Sequence, residues 1–134
     1  MRIVCDTNVI VSGLLFGGKA RDILSRIARG QITNHTSRIL LSELEEVLSR
    51  PKFGLQPEQA IHLISLVRET FDIVHPKQSV SAVRADPDDG EVVAVAIESG
   101  SEYIVSGDNH LLDLKNWDQI SILPPAEFLW KIGE

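Results

Sequence analysis

Cysteine is nearly absent from this chain. Cys5 stands alone among 134 residues, which excludes an internal disulfide and fits a reducing, cytoplasmic setting. Its place in the apolar run Ile3-Val4-Cys5 reads as a buried, inert thiol rather than a nucleophile. No apolar run reaches the about 20 residues that a membrane helix needs. The opening MRIVCDTN has no signal-peptide architecture, because its apolar stretch is short and Asp6 interrupts it. Also missing are a glycine-rich phosphate loop, a paired-cysteine zinc pattern and a nucleophilic serine motif. The four histidines, His35, His62, His75 and His110, show no paired metal-ligand spacing. Surface or satisfied polar roles are expected for them, with His110 set apart by its closeness to Asp108. No repeat, low-complexity tract or linker breaks the chain, so residues 1–134 read as one domain.

Positive charge is in the minority. The net charge of −6 taken alone argues against nucleic-acid binding. Four carboxylates gathered on one metal site would account for much of it, and bound cations would reverse the local field. The cations are unevenly spread: Lys19, Arg21, Arg26 and Arg29 fall in one short segment. That segment reads equally as a solvated helix face or as a surface that tracks phosphates.

What the sequence does hold is a regular alternation. Strands are expected at Ile3–Cys5, Ile32–His35, Phe71–Val74, Tyr103–Val105 and Ile120–Leu123. Helices are expected from Asp6-Thr7-Asn8 to Leu14-Leu15, around Ile23 to Ala28 before Gly30, and from Ser37 to the stop at Pro51. Pro57 starts another, with Ile61, Ile64, Leu66 and Val67 as its apolar positions. Val92 to Ile97, Leu111-Leu112 and the stretch launched by Pro124-Pro125 complete the set. The segment from Lys77 to Pro87 reads as a loop, and Trp117 and Trp130 read as packing residues. Strands alternating with helices imply parallel βαβ units and a three-layer α/β/α sandwich around a mainly parallel five-stranded sheet. In such a sheet the working site lies beyond the carboxyl ends of the strands, near a switch in strand order.

Of four acidic segments, those of Asp6 and Asp108 fall at such strand ends, and the other two sit at or near apolar helical patterns. Asp6 directly follows the first strand and doubles as a candidate helix cap. Asn8, two residues on, is a candidate turn residue. In the helix after Ser37, Glu43 and Glu45 flank the apolar stripe on either side, and helical geometry does not choose between them. Glu46 faces further out, where it can pair with Arg50. Asp86, Asp88 and Asp89 precede the Val92 helix, and one cap does not explain three acids. Asp88 with Glu91 resembles an acidic capping box, Asp86 before Pro87 can set the turn, and Asp89 shares the inward face of Val92 and Val93. Asp108 follows the fourth strand through Ser106-Gly107, and Ser106 is placed to orient a carboxylate or a water. Clustered carboxylates without a basic partner call for a cation, and oxygen-only ligands favour Mg²⁺ or Mn²⁺.

Taken in order, D-T-N after a strand, S-E-L-E-E-V-L on a helix, D-P-D-D before an apolar helix and Y-I-V-S-G-D resemble the PIN domain, over Arg2 to about Trp130. The chain is most similar to small prokaryotic PIN proteins of type II toxin–antitoxin pairs. The resemblance implies a metal-dependent ribonuclease whose acids fall on Asp6, Glu43, Asp89 and Asp108, with Asn8 and Ser106 in support. It breaks the tie between Glu43 and Glu45. Gly90 and Glu91 depart from the pattern; glycine lowers helix propensity, and a late helix start would put Asp88 in place of Asp89.

The expected activity is hydrolysis of RNA phosphodiesters. Asp6, Asp89 and Asp108 would hold one or two Mg²⁺ or Mn²⁺ ions, and Glu43 would complete the shell or position the attacking water. The resemblance also implies a small antitoxin partner and a homodimer. Two other readings compete. One is a non-catalytic PIN-like protein that binds nucleic acid or a partner, its acidic pocket filled by the partner's arginine. The other is a receiver-like or phosphatase domain phosphorylated on Asp6. Against that last reading stand Asn8, where a dehalogenase-type phosphatase needs a second Asp, and the lack of a lysine directly after the late strands.

Overall fold

The computed structural model describes residues 1–78, 80 and 87–133, with the backbone alone for Pro87 and Asp88. Asp86 and most of the loop expected before Pro87 lie outside the described residues. Six strands are present among them: β1 (Arg2–Cys5), β2 (Thr33–Thr36), β3 (Asp72–Ile73), β4 (Tyr103–Val105), β5 (Asn116–Trp117) and β6 (Ile120–Leu123). The helices are α1 (Thr7–Leu15), α2 (Gly18–Ala28), α3 (Arg38–Leu48), α4 (Pro57–Thr70), α5 (Pro87–Ser99), α6 (Asn109–Leu112) and α7 (Pro125–Lys131), with a 3-10 turn at Pro51–Phe53.

The sheet order is β3-β2-β1-β4-β6-β5. All neighbouring pairs are parallel except β5 with β6. The expected five strands thus become six. The addition is a two-residue edge strand turned back against β6 at Asp118, whose φ of 52° is in the left-handed region. Two residues are too few to show periodicity, which is why alternation in the sequence does not reveal β5.

The continuous apolar run of β1 follows from burial on both faces. Ile3 and Cys5 enter one core with α1, α2, α3, α4 and α7, through residues such as Val9, Ile23, Leu44, Ile64 and Phe128. Val4 enters the other, with Val92, Val93 and Val95 of α5, Ile104, Leu111 and Ile122. Each large aliphatic side chain so buried contributes about 1.5–3 kcal/mol. Helix α3 serves both cores, since Leu40 joins the second and Leu41, Leu44, Val47 and Leu48 the first. It therefore crosses the edge of the sheet instead of lying on one face.

Three local expectations change. In α4 the buried stripe is Ala60, Ile64 and Val67, while Ile61 and Leu66 are exposed. The stripe includes small Ala60, which hydrophobicity alone overlooks. Trp130 is 78% exposed and so packs little, whereas Trp117 leans on the second core. His35 is buried, and neither ring nitrogen meets a hydrogen-bond partner among the described residues. Burial holds its imidazole below the usual histidine range, opposed by Asp72 and reinforced by Arg2. Cys5 is buried as expected, and burial, then nearby Asp6, pushes its thiol far up.

Candidate active site

Strand order reverses between β1 and β4: from β1 the chain proceeds to β2 and β3 on one side, then returns to β4 and β6 on the other. The carboxyl ends of these two strands therefore flank the switch crevice. Cys5 is in register with Val105, and the Asp6 amide donates to the Val105 carbonyl at 3.0 Å. This fixes Asp6 beside the Ser106-Gly107-Asp108 turn.

Asp6 is the N-cap of α1, accepting from the Val9 amide at 3.0 Å. Its second carboxylate oxygen accepts a short hydrogen bond from the Ser106 hydroxyl. Ser106 is fully buried and its oxygen also accepts from the Asp108 amide at 2.9 Å. Asp108 is the N-cap of α6, accepting from the His110 amide at 2.7 Å. Capping does not take either aspartate out of the crevice: the Asp6 cap uses one oxygen while Ser106 holds the other, and the Asp108 cap uses one oxygen.

One buried polar residue that sequence reasoning passed over supports this edge. Asn34 of β2 is completely buried, and its side-chain oxygen accepts from the Cys5 amide at 2.8 Å. It thus satisfies the last β1 amide before Asp6. Only its position in an expected buried strand, as a polar residue that would need a partner, hints at such a role.

The remaining acids come from helices. Asp6, Thr7, Asn8, Glu43, Asp89, Val92 and Asp108 line one cavity of about 30 Å³. Of the two glutamates that geometry left tied, Glu43 lines it, while Glu45 is exposed over a groove between α3 and α4. Glu46 pairs with Arg50 at 3.3 Å on the surface. Asp89 is buried among the cavity walls. Helix α5 starts early, at Pro87, which puts Asp89 in its first turn. The capping-box expectation fails for Glu91: its carboxylate accepts instead from the Ser37 hydroxyl at 2.6 Å. Ser37 also caps α3 through the Leu40 amide at 3.3 Å, so the contact ties the start of the Glu43 helix to the helix that carries Asp89. Gly90 has a steric reason to be there, because a β-carbon would run into the Val80 carbonyl.

Asp6 carries the electrostatic load. Burial raises its pKa most, and the charge of Asp108 raises it further; Ser106 and the Val9 and Asn8 amides pull it back down. Crowded, buried carboxylates repel one another, and a cation relieves both burdens. The donors are all hard oxygens, which suit Mg²⁺ or Mn²⁺ and not a thiolate- or imidazole-seeking metal. The space matches roughly one water's share of liquid volume. Among the described residues, no three acidic, histidine or cysteine side chains stand close enough to hold a single ion as they lie.

Two of the four cations that read equally as a solvated face or a phosphate-tracking surface are committed elsewhere. Arg21 donates to the Gly13 and Leu14 carbonyls at 2.9 and 3.2 Å, closing the end of α1. Arg26 pairs with Asp22 at 3.0 Å. Among the described residues no helix is long and apolar enough to cross a membrane.

Solved structures that share this fold include the following three. VapBC-1 from nontypeable Haemophilus influenzae is 17% identical, with a TM-score of 0.61, covering 94% of this chain and 99% of that one. PAE2754 from Pyrobaculum aerophilum is 16% identical at 0.59, covering 98% and 97%. FitAcB from Neisseria gonorrhoeae is 15% identical at 0.55, covering 92% and 98%. No curated protein matches the chain in sequence. The sequence model of the PIN domain matches residues 2–110. With that match over most of its length, the chain belongs to the PIN domain family.

Proposed function

We propose that the protein is a divalent-metal-dependent endoribonuclease, the toxin of a toxin–antitoxin pair. The observation that carries this reading is the convergence of Asp6, Glu43, Asp89 and Asp108, from four separate segments, on one small cavity at the switch between β1 and β4. Family membership supports it, since PIN domains are generally nucleases that use divalent metals.

In this reading Asp6, Asp89 and Asp108 hold Mg²⁺ or Mn²⁺, and Glu43 completes the shell or positions the attacking water. A bound ion supplies a lowered pKa for that water and neutralises charge that develops on the phosphate. Ser106 holds one Asp6 oxygen and opposes the rise in its pKa, and Asn8 does the same through its backbone amide. The metal offsets the acidity of the site, so a polyanion can approach a protein of net charge −6. The toxin reading rests on the likeness to small prokaryotic PIN proteins, and the shared fold with VapBC-1 and FitAcB supports it. It carries a small antitoxin partner with it.

Cleavage of a mixed cellular RNA pool with Mn²⁺, Mg²⁺ or EDTA, with Asp6→Asn in parallel, tests the activity. Metal-dependent cleavage by wild type alone is expected. Full metal-dependent activity in Asp6→Asn would overturn the site assignment. Solution mass with and without a co-expressed small neighbour tests for the antitoxin.

A further inference from the structure

Beside the carboxylate cavity lies a second one, of about 160 Å³, lined by Asn8, Val9, Ser12, Ala20, Gly107 and Pro125. Asn8 lines both. Gly107 stands between Ser106 and Asp108, so the second cavity opens within one residue of the site on that side as well. We infer that this cavity receives one nucleobase of the RNA strand, next to the phosphate being cleaved, and that Gly107 keeps it open. The inference rests on the nuclease reading and adds a place for the substrate to it.

Three features favour a base over other parts of the strand. The lining is mostly apolar, with Val9, Ala20 and Pro125 beside the polar residues Asn8 and Ser12. A flat heterocycle with polar edges matches such a lining, because it exchanges water for apolar contact and keeps donors and acceptors at its rim. No cationic side chain is among the lining residues, and Asp6 and Asp108 stand nearby. A phosphate would find no cationic partner in that lining, and a neutral base needs none. The volume equals roughly five waters' share of liquid, enough for one ring system and not for two stacked ones.

The position of Gly107 makes the inference sharp. A β-carbon built there meets nothing within 4 Å, and its backbone is not in the left-handed region. The fold therefore does not require glycine at 107. A larger side chain at this position would grow into open space bordering the cavity and leave the packed core untouched.

The test compares wild type with Gly107→Leu on short RNAs that differ at one nucleotide beside the cut, including one that is abasic there. Single-turnover cleavage is measured over a range of enzyme concentrations with Mn²⁺, and thermal midpoints confirm folding. The expectation is that the abasic site weakens half-saturation for wild type by roughly tenfold, the scale of one lost base contact. Gly107→Leu should show that loss on every RNA, with no further loss from the abasic site, as two changes to one contact do not add. If wild type cleaves but neither change matters, or if the two losses simply add, the base site is wrong and the nuclease reading stands. If wild type cleaves no RNA with either metal, the nuclease reading fails, and the base site with it. Should Gly107→Leu fail to fold, the abasic comparison on wild type decides alone.

Discussion

Ser106 donates its hydroxyl proton to Asp6 across 100 residues of chain, joining the ends of β1 and β4. The same oxygen accepts from the Asp108 amide, so one buried hydroxyl organises both aspartates at the switch point. Its hydrogen bond lowers the Asp6 pKa against burial and the charge of Asp108. In Ser106→Ala the carboxyl should hold its proton to higher pH. The acid limb of the pH–rate profile is expected to move up, with a lower plateau. Removing the acceptor for a partly buried amide should also cost about 1–3 kcal/mol of stability. An unmoved acid limb would show that Asp6 ionisation does not control the rate.

Asp6 itself gives a stability signature independent of catalysis. Its folded-state pKa lies above the ordinary 3.8, so the folded protein holds that proton more tightly than the unfolded chain. The contribution to stability is fully present below 3.8 and is lost as pH rises through the folded value. In EDTA at neutral pH, Asp6→Asn should be at least as stable as wild type, because Asn still caps α1. Adding Mn²⁺ or Mg²⁺ should raise the melting temperature of wild type by preferential binding to the fold and leave the variant unmoved. Equal metal shifts in both would remove Asp6 from the ligand set.

Glu43 and Glu45 make a matched pair. Both flank the same stripe of α3, yet only Glu43 lines the cavity. Glu43→Gln should lower single-turnover cleavage by about 100-fold or more, the scale of a positioned acid–base group. Glu45→Gln should stay within about twofold. Equal effects from the two would mean that the helix turns differently at the crevice when substrate is bound.

Gly90→Ala sets propensity against packing. In an exposed helix the change would gain about 1 kcal/mol. Here the new methyl meets the Val80 carbonyl, and backbone cannot rotate away as a side-chain tip can. Denaturant titration should show net destabilisation, and cleavage should fall because Asp89 is the adjacent residue. A more stable Gly90→Ala protein would show that Val80 yields freely.

His35 predicts a separate pH effect. Its ring is buried, and its folded-state pKa lies below the usual 6.5. The unfolded chain therefore binds the extra proton first, and stability falls as pH drops from 6.5 toward the folded value. His35→Gln should flatten that part of the curve in denaturant titrations from pH 7.5 to 5. A slope unchanged by the substitution would assign it to another group.

The sequence by itself determined the layer architecture. Short apolar runs at β1, β4 and β6, separated by stripes of helical period, have one economical packing, and the structure adopts it. It also determined which acids were candidates, because Asp6 and Asp108 sit at strand ends that a parallel sheet must bring to a common edge. Helix starts marked by Ser37 and Pro57 were equally local, since a cap or a proline acts within one turn.

Tertiary structure decided what depends on contacts between segments. Glu43 was separated from Glu45 by the way α3 crosses the sheet edge, a rotation that helical periodicity leaves free by tens of degrees. Glu91 turned to Ser37, 54 residues away, and left the capping box. Asn34 became the partner of Cys5, Gly90 met Val80, and His35 was buried without a partner among the described residues. Each outcome depends on which segment arrives next to which. Local periodicity carries no information about such long-range neighbours, because they are selected only when the two cores close together on either face of β1.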